Sequence, residues 1–308
     1  MAVTRPSLVS IVVAVYDMPI QAMNTLRSLS PQHQHGVKAK DYEVIVVENR
    51  SERPLDPRQV HSLPPNFRYV LRDEPGVSPA AALNHGARLA RGLTVALMVD
   101  GARMVTPGVV RGIKRARRLG RRTIVAVPGY HLGDQLHPAA AAAGYTVAQE
   151  QAMLAQLDWS THGYRLFRRA VLSASCENGY LRPMGESNCI ALPTLLFRRM
   201  GGFDEGFTTL GGGFVNLDFY RRAVDSGNRL VVLPGEGTFH QFHGGATTGA
   251  PGVDREVLLD RMRAEYEGLR DTVHAPPSAA PILLGEIPED ALAFMAYSVQ
   301  RAQGQDHD

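Results

Sequence analysis

Cysteine is nearly absent: Cys176 and Cys189 are the only two in 308 residues. Two cysteines without a Cys-x-x-Cys make no disulfide framework, so a reducing, cytoplasmic setting is the expectation. Both read as small buried residues and not as nucleophiles. No Cys/His spacing suggests a structural zinc site. Long apolar runs are missing too. None reaches the roughly 18 residues of a membrane span, and Met1 to Pro6 lacks the charged and then apolar pattern of a secretory leader. Charge of one sign is scarce, with a net +3, which argues against a nucleic-acid partner. Three catalytic signatures are also lacking. No Gly-Lys-Ser/Thr follows the glycine-rich runs, no Gly-x-Gly-x-x-Gly follows the first strand, and no Gly-x-Ser-x-Gly elbow occurs.

What remains is a globular composition, 44% hydrophobic and 20% charged, with an Ala/Arg/Gly bias that fits a bacterial chain. Val9 to Val15, Tyr42 to Val47, Phe67 to Leu71 and Thr94 to Val99 are apolar runs that predict strands. Between them lie helix patterns, one with Ile20, Met23, Leu26 and Leu29 on a single face. Another is opened by Ser78 as cap and Pro79 at its first position. Continuous apolar strands alternating with helices predict a mainly parallel α/β sheet covered on both faces. Further strands are expected at Thr123 to Val127 and Arg229 to Leu233. A basic amphipathic helix is expected over Pro107 to Leu119, read as a solvated face because no aromatics interleave its arginines. Gly129 to Thr161, with the lone Trp159, reads as a stretch that covers or flanks a site. After Pro251 a charged helix (Arg255 to Leu269) precedes a Pro/Ala linker (Ala275 to Pro281), and the last helix, Pro288 to Gln303, reads as peripheral with the tail to Asp308.

The organising stretch is Leu97 to Arg103. There a buried strand delivers Asp100 at its tip, with Gly101 and Ala102 behind it. Strand tips of open α/β sheets face the ligand crevice. Taken alone, Asp-Gly is also ordinary turn chemistry. Asp17 and Glu48 end two other strands, as acids able to accept from hydroxyls, although a turn residue and a solvated strand end are the plainer readings. His240 and His243 stand together in Thr238 to Gly245. Asp218 falls early in a helix behind Gly211 to Gly213, where it would also suit the helix dipole. Glu186 stands in Gly185-Glu186-Ser187-Asn188.

These pieces, taken in order from about Val9 to about Gly245, resemble the family 2 glycosyltransferases, inverting enzymes of the GT-A fold. Val9 to Tyr16 resembles the first strand and nucleotide loop. Tyr42 to Ser51 resembles the second strand, Ala82-Leu83-Asn84-His85-Gly86 the Arg-Asn-x-Gly segment, and Val99 to Ala102 the metal-binding Asp-x-Asp. Gly201-Gly202-Phe203-Asp204-Glu205 is similar to the Gly-Gly-Phe-Asp-Glu signature. Three departures stand out. Ala102 replaces the second acid of Asp-x-Asp, Asn49 replaces an acid after the second strand, and Val215-Asn216 stands where the family places Glu-Asp.

The resemblance implies a nucleotide-sugar half over 1–128 and an acceptor-binding, catalytic half over 129–250, followed by the extension over 251–308. It implies transfer from a nucleoside diphosphate donor, a UDP-sugar, to a hydroxyl acceptor. Ala14, Tyr16, Asp17, Glu48, Asn84, Asp100 and Gly101 would hold the donor. Asp100, His243 and His240 would hold Mn²⁺ or Mg²⁺, with imidazole favouring Mn²⁺. Asp218 would act as base, with Asn216 orienting the acceptor and Glu186 as the second candidate. Two other classes stay open: a non-catalytic nucleotide-sugar-binding module, suggested by Ala102 and Asn216, and, ranked lower, a nucleotidyltransferase. Neither the acceptor nor the oligomeric state is readable.

Overall fold

A computed structural model describes residues 5–74, 77–226, 229–243 and 254–304. The chain opens with β1 (Arg5–Val15), α1 (Pro19–Ser28), β2 (Tyr42–Asn49), α2 (Pro57–His61), β3 (Phe67–Arg72), α3 (Ala80–Leu89) and β4 (Gly92–Met98). It continues through β5 (Arg103–Val105), α4 (Val109–Arg117), β6 (Thr123–Ala126), β7 (Gly129–Leu132), α5 (His137–Ala142), α6 (Val147–Leu157) and β8 (Ala170–Leu172). It closes with β9 (Cys189–Pro193), α7 (Thr194–Arg199), α8 (Val215–Asp225), β10 (Arg229–Val232), β11 (Thr238–His240), α9 (Arg255–Arg270), β12 (Ile282–Leu283) and α10 (Leu292–Ala302).

Eight strands form the main sheet in the order β12-β10-β6-β9-β4-β1-β2-β3. Every pairing in it is parallel except those of β9, which runs antiparallel to β4 and β6. Both faces are covered, which is why the middles of its central strands are continuous apolar runs and do not alternate. Val12, Ile45, Val47 and Leu97 face one core, with Leu83 and Ala87 of α3 and Phe219 of α8. Ile11, Val13, Val44 and Val46 face the other, with Leu26 of α1 and Val110 and Ile113 of α4. The expected strands form with ends shifted by one to four residues. The helix expected at Ser78 starts at Ala80, with Pro79 as its N-cap. The basic face of α4 is tied into the fold, since Lys114 pairs with Asp41 and Arg117 donates to the Thr123 carbonyl.

A second, four-stranded sheet runs β5-β11-β7-β8. Its register sets His240 beside Arg103 on one side and His131 on the other. An aromatic core of Tyr130, Phe167, Phe239 and Phe294 backs it. The last helix is not peripheral, since α10 buries Ser298 and packs Phe294 and Met295 against the core. Strand β12 extends the main sheet beside β10, and α9 buries Leu258, Met262 and Tyr266. The expected boundary at 250–251 lies outside the described residues. Among the described residues no helix is long and apolar enough to cross a membrane.

Candidate functional site

The C-terminal ends of β1, β2 and β4 open onto a cavity of about 580 Å³, within the range of small-ligand sites. Ala14, Tyr16, Asp17, Asn49 and Asp100 line it from the strand tips. Arg103, His131, His240 and His243 line it from the small sheet and the segment after β11, and Glu186, Asn188 and Asn216 from the other half of the chain. Arg255, Leu259 and Met262 of α9 complete the lining.

Asp100 is held by a local turn and by two rings. Its Oδ1 accepts from the Ala102 amide at 2.8 Å. Its Oδ2 lies 2.9 Å from His240 Nε2 and 3.7 Å from His243 Nε2. Burial works against an ionised Asp100, but hydrogen bonds from the His240 and His243 rings outweigh it and hold the carboxyl well below its usual range. Burial, followed by the Arg103 charge, pushes His240 well below its usual value, so a neutral ring donates from Nε2. Burial also pushes His131 down to about 2 and His137 to about 4. Arg103 is buried 3.8 Å from Asp100, and its Nε and Nη1 have no hydrogen-bond partner. Asp100, His240 and His243 each offer a ligand atom within 4.8 Å of the others, a group that could hold a metal ion.

Glu186 stands ahead of β9, in a separate part of the cavity lining. Asn216 Nδ2 donates to its Oε2 at 2.5 Å, and Asn188 Nδ2 to its Oε1 at 3.2 Å. Two amides therefore orient one carboxylate. Asn216 sits at the N-terminal end of α8, behind Gly211 to Gly213, whose positive φ angles shape the approach.

Three expected site residues serve other ends. Asp218 does not line the cavity. It is 1% exposed, and Arg222 and Arg270 take both of its oxygens. Glu48 is fully buried. Its carboxylate accepts from the Leu55 amide at 3.0 Å and from Tyr69 Oη at 2.6 Å, so it anchors the loop after β2. Burial pushes Glu48 up, against those bonds. Asn84 donates to the Phe203 carbonyl and to Glu205 and accepts from the Phe203 amide, clamping α3 to the Gly-Gly-Phe-Asp-Glu turn. Gly101 lies behind the lining, where a Cβ would come 3.0 Å from the Ala14 carbonyl. Asp17 lines the cavity in the left-handed region at φ 55°, and Arg53 grips both its oxygens.

Sequence reasoning missed Arg103, His131, Asn49 and Arg53. Arg103 follows Asp100 by three residues and was legible as a cation at a strand tip. His131 had no local signal, since only the pairing of β7 with β11 brings it to the site.

Residues 10–173 match the family model described as glycosyl transferase family 2. No curated protein matches the chain by sequence. Among solved structures, TarS 1-349 of S. aureus in complex with UDP-GlcNAc is 13% identical, with a TM-score of 0.53 over 96% of this chain and 72% of that one. The mannosyltransferase PcManGT of Pyrobaculum calidifontis, in complex with GDP-Man and Mn²⁺, is 16% identical, with a TM-score of 0.51 over 98% and 71%. At these identities the likeness is one of fold, and the fold is the GT-A one.

Proposed function

The chain belongs to glycosyl transferase family 2, and we propose that it moves a sugar from a UDP-sugar to a hydroxyl acceptor with inversion. The observation that carries this reading is the pairing, on one cavity, of Asp100 with its histidines and Glu186 with its two amides. The TarS structure with UDP-GlcNAc and the mannosyltransferase with GDP-Man and Mn²⁺ support a nucleoside diphosphate donor on this scaffold.

In the proposed complex, Tyr16 and Asp17 meet the nucleoside at the tip of β1. The diphosphate lies towards Asp100 and Arg103, where a permanent cation suits its charge. Ala102 removes one acid, so the donor set for a cation is the Asp100 carboxylate and the His243 ring, with His240 orienting Asp100. One carboxylate and one imidazole fit Mn²⁺ better than Mg²⁺. Such an ion would neutralise charge on the departing diphosphate. The acceptor hydroxyl attacks the anomeric carbon in line with the leaving oxygen. The new C–O bond forms as the bond to the β-phosphate oxygen breaks, and the hydroxyl proton passes to Glu186. Asn216 and Asn188 keep both Glu186 oxygens aimed while it takes that proton. Glu186 thereby supplies the carboxylate that position 216 lacks.

The test is nucleoside diphosphate release from UDP-sugars with Mn²⁺, for the unmodified chain and Glu186→Gln. Turnover is expected to fall about 10²–10⁴-fold in the variant, with donor affinity by calorimetry unchanged. Equal turnover in the variant removes Glu186 as base. If no nucleoside diphosphate binds, with or without Mn²⁺, the donor reading fails.

A further inference from the structure

Behind Asp100 the donor reading leaves three histidines partly unused. His131 ends β7 beside His240 of β11, and His137 opens α5. The ring centroids lie 4.4 Å apart for His131 and His137, 4.9 Å for His137 and His240, and 5.2 Å for His131 and His240. One ligand nitrogen from each lies within 4.8 Å of the other two.

The hydrogen bonds assign the protons. His137 Nε2 lies 3.2 Å from the Leu132 carbonyl, which can only accept. His240 Nε2 lies 2.9 Å from the Asp100 carboxylate. His137 therefore carries hydrogen on Nε2 and a lone pair on Nδ1, and so does His240 in the tautomer that donates to Asp100, with His243 Nε2 3.1 Å from the same nitrogen. Both Nδ1 atoms are buried without a hydrogen-bond partner among the described residues, on side chains that are 0% and 3% exposed. A buried lone pair with no donor is costly, and here there are two. The His131 Nδ1 lone pair accepts from the His137 amide at 3.0 Å, a bond that a metal at that atom would replace. Metal-bound imidazoles commonly donate their second nitrogen to a carboxylate or a carbonyl, as His240 and His137 do.

We propose that His131, His137 and His240 form a buried transition-metal site, filled by Zn²⁺, that stands behind Asp100 and is separate from the cation of the donor. Three imidazoles and no oxygen ligand suit Zn²⁺ and not a hard ion such as Mg²⁺. Zn–N bonds of about 2.0–2.1 Å put ligand nitrogens about 3.4 Å apart, inside the 4.8 Å within which these three lie. His131 borders the cavity. Asp100 faces the positive charge of Arg103, 3.8 Å away, and would face that of the ion. Through His240, the ion would fix the orientation of Asp100.

The test is metal content, with no enzyme assay. The full chain is stripped with chelator, reloaded with Zn²⁺, desalted and measured by mass spectrometry for metal per chain. One ion per chain is expected. His137→Gln is expected to weaken binding at least about 100-fold, while His243→Gln keeps the ion. Co²⁺ in the unmodified chain is expected to give the strong visible bands of a four-coordinate site, a readout that needs no variant to fold. No retained ion together with no Co²⁺ bands overturns the site. So does an ion kept by His137→Gln and lost by His243→Gln, which would place it at the donor cation. The site can hold Zn²⁺ even if no nucleoside diphosphate binds, so its failure and that of the donor reading are distinguishable.

Discussion

Asp218 accepts from Arg222 Nε at 2.7 Å and from Arg270 Nε at 2.6 Å, so a proton from an acceptor would have to displace two arginines. Glu186 accepts only from two neutral amides and lines the cavity. The two acids should therefore separate by experiment. Asp218→Asn is expected to cost about 3 kcal/mol in urea denaturation, because it leaves cations facing a buried site with no anion. Glu150 gives a pH-dependent counterpart. It is buried, with Phe242 N–H donating to both oxygens, and burial pushes its carboxyl from 4.5 up to about 8. A raised folded value means that its contribution is complete below about pH 4.5 and is lost as pH rises through about 8. Glu150→Gln should remove a loss on the order of 1–3 kcal/mol between pH 5 and 9, read as a flatter Tm-against-pH curve in chelator-treated protein.

Among the elements, α3 is fixed by what its sequence omits. A Cβ on Gly86 would lie 2.3 Å from Val12 Cγ1 and 3.0 Å from Val47 Cγ2, so the glycine lets the helix sit directly on β1 and β2. Gly86→Ala, which favours an isolated helix, is expected here to destabilise by about 1–3 kcal/mol through overpacking, measured by thermal unfolding. That helix carries Asn84 to the turn at Phe203, so its docking also ties the two halves together. The strands were legible because a sheet covered on both faces demands unbroken apolar runs. Strand β9 was not. Five residues of Cys189–Pro193 give too little periodicity, and only its pairing between β4 and β6 defines it.

For the molecule as a whole, the C-terminal stretch shows how far tertiary context can reassign a segment. Two residues of β12 complete the main sheet, and the chain behind them packs so closely that a Cβ on Gly235 would meet the Glu286 carbonyl at 1.8 Å. Tyr297 Oη donates to the Glu177 carbonyl, and Ser298 Oγ accepts from the Tyr180 amide. A chain ending at residue 275 is therefore expected to unfold at lower urea concentration and to lose amide-exchange protection in β10, which becomes an edge strand.

The sequence by itself determined the α/β class, the order of the main strands, the strand tip at Asp100 and the histidine pair at 240 and 243. Those features rest on local chemistry: apolar runs, caps, glycines and acids at the ends of strands. The tertiary structure alone decided which acids are free. Asp218 and Glu48 look like Glu186 in a sequence, as carboxylates near turns. Their partners come from Arg270, 52 residues away, and Tyr69, 21 residues away. The same holds for His131, which β-pairing delivers to His240 from 109 positions earlier (240 − 131). Whether a carboxylate or an imidazole can act depends on burial and on who occupies its lone pairs, and long-range contacts set both.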